Sequence, residues 1–446
     1  MDGILRWRLA TGLVMVLLVV AGGSLAAGAS ADGFAPAYYS NYPAQLQAKS
    51  PAGMRSYLSN DQTQMEMQSQ IIFGNLQTPN GKFNSFAAMV QRQDGLIPQV
   101  PSLPISLSTV MMNTGQGIFG GVINGIPELT FPMSLTSNPW SARAETVSAG
   151  QKPNFIDMRV VEGQLGRPGS IYEVTADIPS ESIGSGGAPA EPLTVYLRVK
   201  DPLGIAMWGF GPSGFKPQWL SASQRSAVND RFGGSIRDYL KATNDPMTNQ
   251  GNYYYSSPLL KVQKFVVYRN NALILKGDGG YMFFDQCTQS FDANSEQIVN
   301  NGFNWISFET PIPALGGGMA IGKMSQPTVG SLPYAALVTP KSPKAKNGAR
   351  VAYNWGIDDI SLKPVEGSEW TSPSSGKTYF MEWRLRLRGP KPSRRGSLTL
   401  TAVTKDSEVN FAGRAVYEGL FRYRGTLAGK KVSGSSFAEM QPEGSL

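Results

Sequence analysis

The residue of this chain best suited to proton transfer is an aspartate in an aromatic stretch. Asp285 follows Phe283 and Phe284 and precedes Gln286 and Cys287. Burial among aromatic side chains raises the pKa of a carboxyl group, so that it can hold a proton near neutral pH and donate it. An acid of this kind can protonate a bound molecule, and aromatic faces stabilise a cation that forms. The structural alternative is that Asp285 ends a strand by hydrogen bonds to the backbone.

Two further carboxylates stand beside tryptophans in strand-like stretches. Glu309 follows Trp305 and Ser307 on one strand face, and Glu382 precedes Trp383 and points to the opposite face. Alternation in a half-buried strand places such charged residues most often in water. We therefore interpret both glutamates as surface residues.

The residue types that the chain lacks exclude several kinds of site. Its 446 residues include no histidine and one cysteine, Cys287. A Ser-His-Asp triad, a Cys-His pair, a histidine metal site and an intramolecular disulfide are excluded within this chain. The acidic pair Asp358-Asp359 has no EF-hand spacing around it. We expect no metal site and no cofactor.

The elements that would position an acid are antiparallel strands. From residue 379 to 388, every second side chain is apolar, and from residue 382 the side chains between them are charged. Period-two alternation puts the two sets on opposite faces of a strand, and a sheet buried on one face is usually antiparallel. The predicted inward set is Tyr379, Met381, Trp383, Leu385 and Leu387, and the predicted solvent-facing set includes Arg384, Arg386 and Arg388.

The segment from Trp370 to Trp383 resembles a known signature. It matches the pattern Trp-Thr-Ser-Pro-x-x-Gly-x-x-Tyr-Pro-x-x-Trp, with Phe380 in place of the second proline. This is the signature of the lipocalin-like family that contains the AttH-type secreted proteins and the carotenoid 1,2-hydratases. The resemblance is dense over residues 253–440 and faint over 62–95. Asp285 stands at the position of the family's central acidic residue.

The resemblance and the alternation predict an all-β chain with little helix. We expect two lipocalin-like antiparallel β-barrel or sandwich domains packed together. The expected divisions are a signal peptide at 1–31, an extended leader at 32–60, an N-terminal β domain at 61–245 and a C-terminal lipocalin-like β domain at 246–446. Hairpin turns are predicted at 80–81 and 269–271, and the best helix candidate is 218–240.

Aromatic residues of the C-terminal domain predict an apolar pocket for a lipophilic small molecule. Its expected lining is Tyr281, Phe283, Trp305 and Trp383, with Asp285 and Tyr255 as polar groups. Two functions remain open. One is a secreted protein that binds the lipophilic molecule in an aromatic β-barrel pocket. The other is an acid-catalysed hydratase or cyclase that acts on a polyene or isoprenoid. The oligomeric state is left open.

The formal net charge of +8 is concentrated near the C-terminus, where residues 341–446 hold 18 basic against 10 acidic residues. Solvated faces of alternating strands account for such an excess, and peripheral contact of the basic C-terminal domain with a membrane is the alternative. The stretch Phe421-Arg422-Tyr423-Arg424 mixes aromatic and basic residues in a way that suits nucleic-acid binding. Because the chain carries an export signal, no nucleic-acid partner is expected.

The first 31 residues read as that export signal. Arg6 and Arg8 give the positive start, residues 12–21 are apolar, and Ala29-Ser30-Ala31 offers a small-residue cleavage site. We expect a secreted or periplasmic protein, with an uncleaved membrane anchor as the alternative.

Cleavage near Ala31 gives a mature chain that begins close to Asp32. N-terminal sequencing of the protein recovered outside the cytoplasm checks this expectation. Recovery of intact Met1 in the membrane fraction would favour the anchor.

Overall fold

The computed structural model describes the greater part of residues 67–442. The described ranges are 67–93, 105–115, 118–125, 133–137, 139–146, 153–182, 191–209, 251–290, 304–326, 330–342, 345–355, 357–411 and 414–442. The predicted signal peptide, the predicted leader and the predicted helix at 218–240 lie outside them. Within the described part, no helix has the length and apolar character needed to cross a membrane. The described structure is all-β and antiparallel, as predicted.

The first sheet has thirteen strands. They are β1 (Met67–Gln77), β2 (Phe83–Gln93), β3 (Ile105–Asn113), β4 (Ile118–Gly125), β5 (Met133–Ser137), β6 (Trp140–Glu145), β7 (Phe155–Glu162), β8 (Ile171–Ser182), β9 (Glu191–Lys200), β10 (Ala206–Gly209), β11 (Gly251–Arg269), β12 (Ala272–Gly277) and β13 (Gly279–Ser290). Because β9 pairs with both β8 and β11, eight strands form a continuous ring in the order β11-β13-β1-β2-β3-β4-β8-β9. The ring encloses a core of aliphatic and aromatic side chains that includes Trp140, Tyr172 and Phe284.

The second sheet has ten strands. They are β14 (Asn304–Ile312), β15 (Gly317–Gln326), β16 (Gly330–Ser342), β17 (Ala345–Asn354), β18 (Ile360–Pro364), β21 (Glu382–Leu387), β22 (Gly396–Ala402), β23 (Glu408–Phe411), β24 (Arg414–Leu427) and β25 (Lys430–Gln441). A separate hairpin consists of β19 (Glu369–Thr371) and β20 (Thr378–Phe380). Three-residue 3₁₀ turns occupy 313–315, 357–359 and 392–394. The sheet curls around its own core, with Phe308, Trp383 and Phe421 in contact.

The alternation predicted for residues 379–388 is confirmed. The five apolar side chains of the set are at most 5% exposed, whereas the three arginines are exposed.

Both predicted hairpin turns also form. Asn270 and Asn271 have φ angles of 49° and 61°, and Gly81 has a φ of 81°. Two consecutive left-handed residues give the turn that matches the twist of a two-residue hairpin.

The sheets divide at a different place from the predicted boundary at 245/246. Strand β11 pairs with β9 and β10, and β13 pairs with β1, so residues 251–290 complete the first sheet. The second sheet starts at Asn304. The physical reason is that the ring of the first sheet closes only when β11 and β13 fill the gap between β9 and β1.

The signature segment is held by one buried carboxylate. Glu408 of β23 is 1% exposed and accepts hydrogen bonds from four hydroxyl groups of the segment. The donors and their distances to the Glu408 carboxylate oxygens are Ser372 (2.6 Å), Ser374 (2.5 Å), Ser375 (2.6 Å) and Tyr379 (2.7 Å). The serines and the tyrosine of the signature therefore have a structural role, which is to fasten this loop to the second sheet.

We expect Glu408→Gln to lower the free energy of unfolding by about 2–3 kcal/mol, since hydrogen bonds to a charged group are each worth about 1.5–3 kcal/mol and the amide offers only one acceptor oxygen. Urea denaturation measures the change. Glu369→Gln, at an exposed position immediately before the segment, is the control and should alter the free energy of unfolding by less than about 0.5 kcal/mol. Equal effects of the two substitutions would contradict this role.

Candidate active site

The outer faces of the two sheets pack against each other. The ring of Phe73 in β1 lies 5.1 Å from that of Phe437 in β25. Asn75 in β1 donates a hydrogen bond to Ser435 in β25. Farther along, the Asn113 side chain donates to Ser407 Oγ at 2.9 Å. These contacts remove from water part of the outer face of each sheet, including Phe73 in β1 and Phe437 in β25.

The covered face of the second sheet is acidic. In β14, Phe308 points into the core, so its neighbours Ser307 and Glu309 point to the other side. Across the ladder, Ser307 is opposite Glu439 of β25, and Glu439 is opposite Glu418 of β24. Residues directly opposite share a face of the sheet. Three glutamates therefore lie on this face, and all are at most 4% exposed.

The first sheet contributes a fourth carboxyl group to the same region. Asp285 is fully buried and lies in the middle of β13, opposite Ile71 of β1. It shares its strand face with Phe283, which stacks on Phe73 at 5.9 Å between ring centroids. Asp285 is close enough to Glu309 to raise that residue's pKa. The predicted alternative, in which Asp285 ends a strand, is therefore wrong.

Burial and mutual repulsion favour the protonated form of these acids. Burial, and then the charge of Asp285, hold the pKa of Glu309 well above its usual value of 4.5. Burial, and then Glu309, raise the pKa of Glu418 in the same direction. Burial also raises the pKa of Tyr334 from β16, with smaller effects from Glu309, Glu439 and Asp285. A carboxylic acid kept neutral at physiological pH is the form that donates a proton.

Glu309, Glu418, Glu439 and Asp285 form the acidic cluster. Hydrogen bonds satisfy only some of its carboxyl oxygens. Ser307 Oγ donates to Glu309 Oε2 at 3.2 Å, and Gln441 Nε2 donates to Glu439 Oε1 at 3.2 Å. Neither carboxyl oxygen of Glu418 has a hydrogen-bond partner among the described residues, although its side chain is fully buried. Buried polar groups are hydrogen-bonded in the great majority of cases, so the Glu418 side chain is unusual within the described part. The described residues include no group of three acidic or sulfur ligands arranged to hold a metal ion.

The structure brings together only part of the predicted pocket. Phe283 and Asp285 lie on the covered face, and the half-buried Tyr281 shares their side of β13. Trp383 packs instead in the core of the second sheet, where its ring contacts Phe308 and Phe380. Phe308 and Glu309 are neighbours on one strand, so Trp383 and the acidic cluster lie on opposite sides of the second sheet. For Tyr255 in β11 and Trp305 in β14, the side chains lie outside the described part.

Sequence reasoning missed most of the acidic cluster. The interpretation of Glu309 as a surface residue is wrong, because the first sheet covers that face. Glu418 and Glu439 alternate with core residues, which is also the pattern of a solvated face. The signal that could have found Glu439 is its side of β25 from Ser433 onward, where Ser433, Ser435 and Phe437 stand in place of charged residues.

We expect Glu309→Gln to become more stable relative to the wild type as pH rises. Because the folded-state pKa of Glu309 exceeds the usual value of 4.5, its contribution to stability is complete below that value and is lost as pH rises through the folded-state pKa. Glutamine has no proton to lose. Urea denaturation from about pH 4 to about pH 9 measures the difference in free energy of unfolding.

Glu366→Gln removes one carboxyl group at an exposed position and is the matched control. A Glu309→Gln difference that does not change with pH would refute the view that Glu309 holds a proton in the folded protein.

Comparisons with known proteins give matches at the level of structure. The chain matches a protein from Nitrosomonas europaea assigned as AttH, with a TM-score of 0.53, 17% identity, and coverage of 85% of this chain and 94% of the other. It also aligns with kievitone hydratase from Nectria haematococca at a TM-score of 0.48 and 12% identity, over 84% of this chain and 88% of that chain. A third alignment, with CghA in complex with Sch210972, has a TM-score of 0.48 and 9% identity over 85% and 89% of the two chains.

No family model and no curated protein matches the sequence. At 17% identity, the match to the Nitrosomonas protein shows a similarity of fold alone. It agrees with the all-β architecture and with the resemblance carried by the Trp370–Trp383 segment. The chain therefore has the lipocalin-like fold of an AttH-type protein.

Proposed function

We propose that this protein binds a lipophilic, alkene-containing small molecule between its two sheets and protonates it there, as a hydratase or cyclase. The observation that supports this most is the buried pair of Asp285 and Glu309, contributed by different sheets, with the pKa of Glu309 raised by burial and by Asp285. The resemblance to the carotenoid hydratases at Asp285 points to the same chemistry.

The surroundings of the pair suit an apolar substrate. Phe73, Phe283 and Phe437 form a buried aromatic group on the covered face next to the acids. Apolar walls with a few polar groups bind and orient lipophilic ligands. Aromatic faces also stabilise a cation by electrostatic attraction. The same three rings therefore serve both binding and the charged intermediate.

Glu309 is the proposed proton donor. Its O–H proton passes to one alkene carbon, whose π electrons form the new C–H bond, and the other carbon becomes cationic. In a hydratase, water then forms a C–O bond to the cation and gives up a proton to the Glu309 carboxylate. In a cyclase, a second alkene attacks the cation and the final proton returns to the same carboxylate. Asp285 raises the pKa of Glu309 and so favours the donor form.

The competing function is binding of the lipophilic molecule without turnover. Protonated acids can donate hydrogen bonds to a carbonyl or hydroxyl group of a ligand, and no reaction need follow. In both cases we infer that the protein acts outside the cytoplasm, as a secreted or periplasmic protein. This inference is supported by the export signal.

Isotope labelling distinguishes the functions. Native mass spectrometry first identifies any lipophilic molecule that co-purifies from the producing cell. That molecule, together with a panel of polyenes and isoprenoids, is then incubated with the protein in D₂O enriched in H₂¹⁸O. A hydratase gives a product with one new C–D bond and one ¹⁸O hydroxyl group. A cyclase gives rearranged product without ¹⁸O.

Variants assign the donor. We expect Glu309→Gln to lower the conversion rate by about 10²–10⁴-fold, the usual contribution of general acid catalysis, and to leave the Kd for the molecule within about threefold. Asp285→Asn should lower the rate less. Glu366→Gln, at an exposed position, is the control. Binding without conversion in the wild type would support the binding protein instead, and unchanged conversion by Glu309→Gln would exclude this residue as the acid.

A further inference from the structure

The hairpin formed by β11 and β12 exposes its apolar residues at the tip. Tyr268, Leu273 and Ile274 are 40%, 47% and 37% exposed, and they are the large hydrophobic residues that the described part leaves most open to water. All three lie within three residues of the Asn270-Asn271 turn. Single exposed apolar residues are common, but a group of three at one tip indicates an interaction surface.

The ladder places these residues together with two lysines. Tyr268 is opposite Leu273, and Val266 is opposite Lys276, while Ile274 lies where the register shifts. Phe265 and Val267 of β11 point into the first core, so Lys264, Val266 and Tyr268 point outward. Lys264 lies over the ring of Tyr196, with Nζ 5.7 Å from the centroid. We name the outward residues Lys264, Val266, Tyr268, Leu273, Ile274 and Lys276 the hairpin patch.

The charge of the patch is basic. Lys264 and Lys276 are exposed. Two nearby acids are already paired, since Glu191 lies 2.8 Å from Arg269 and Glu173 lies 2.7 Å from Arg198. Asp278 is exposed at the far end of β12 from the turn. The two lysines therefore border the apolar tip with positive charge.

We propose that the hairpin patch docks on an anionic lipid surface. A tyrosine and two aliphatic side chains at a turn suit shallow insertion at the level of the headgroups, and lysines beside them attract anionic lipids. A second copy of the chain fits less well, because a symmetric contact through this patch would bring like-charged lysines together. The proposal is independent of the reaction proposed above.

A local probe tests the docking. A cysteine introduced at position 274 (Ile274→Cys) is labelled with the environment-sensitive fluorophore NBD, and vesicles of phosphatidylcholine with or without phosphatidylglycerol are added. We expect a blue shift and a rise in fluorescence with the anionic vesicles, and reversal of both by salt. The same label at Lys430→Cys, at the exposed first residue of β25, is the control. The chain without an introduced cysteine is labelled in the same way, and its signal measures the contribution of Cys287.

The combined variant Lys264→Glu/Lys276→Glu should weaken vesicle binding at least about 30-fold, from the usual effect of one basic residue near an anionic surface. Lys430→Glu/Lys431→Glu, a matched pair on the second sheet, should leave it nearly unchanged. A probe at position 274 that does not respond to anionic vesicles overturns the proposal. So does a blue shift that grows with protein concentration without lipid, which would mean self-association. An equal loss in the Lys430/Lys431 variant would place membrane contact on the second sheet and also overturn it.

Discussion

Burial of an acidic sheet face against a second sheet is the constraint on which the rest of the structure depends. Glu309 and Glu418 are removed from water, and no described lysine or arginine forms an ion pair with either. An ionised carboxylate in that position would be far more costly than a neutral acid. The packing of the two sheets is therefore coupled to proton binding. The same burial that raises the pKa of Glu309 and Glu418 also makes the folded state sensitive to rising pH.

The chain crosses from one sheet to the other between the two acids of the proposed site. Asp285 lies on β13, the last strand of the first sheet, and Glu309 lies on β14, the first described strand of the second. The pairing of β13 with β1 puts Asp285 on the outer face beside Phe73 and Phe283. Residues 24 positions apart in sequence thus meet only because the two sheets pack face to face.

The sequence was informative wherever one strand face is buried in the core of its own sheet. The alternation at 379–388 predicted correctly which side chains of β20 and β21 are buried. Alternate residues of a strand lie on opposite faces, and here one face is in the core and the other in water. The same rule failed for Glu309, and it gave no reason to expect burial of Glu418. Their faces are covered by another sheet, and a pattern of polar residues cannot show that contact. The boundary between the sheets was misplaced for a related reason, since ring closure by β11 and β13 depends on pairing between distant strands.

The two cores and the covered face differ in how easily they could admit a ligand. Inside each sheet, aromatic and aliphatic side chains pack closely, and entry there would disturb the contacts around Trp140 or Trp383. The contact between the sheets includes side-chain pairs such as Phe73 with Phe437 and Asn113 with Ser407, and the described strands form no ladder between the two sheets. A small separation of the sheets would break such contacts without breaking a strand ladder. A lipophilic molecule would thus reach Asp285 and Glu309 at lower energetic cost than it would reach either core.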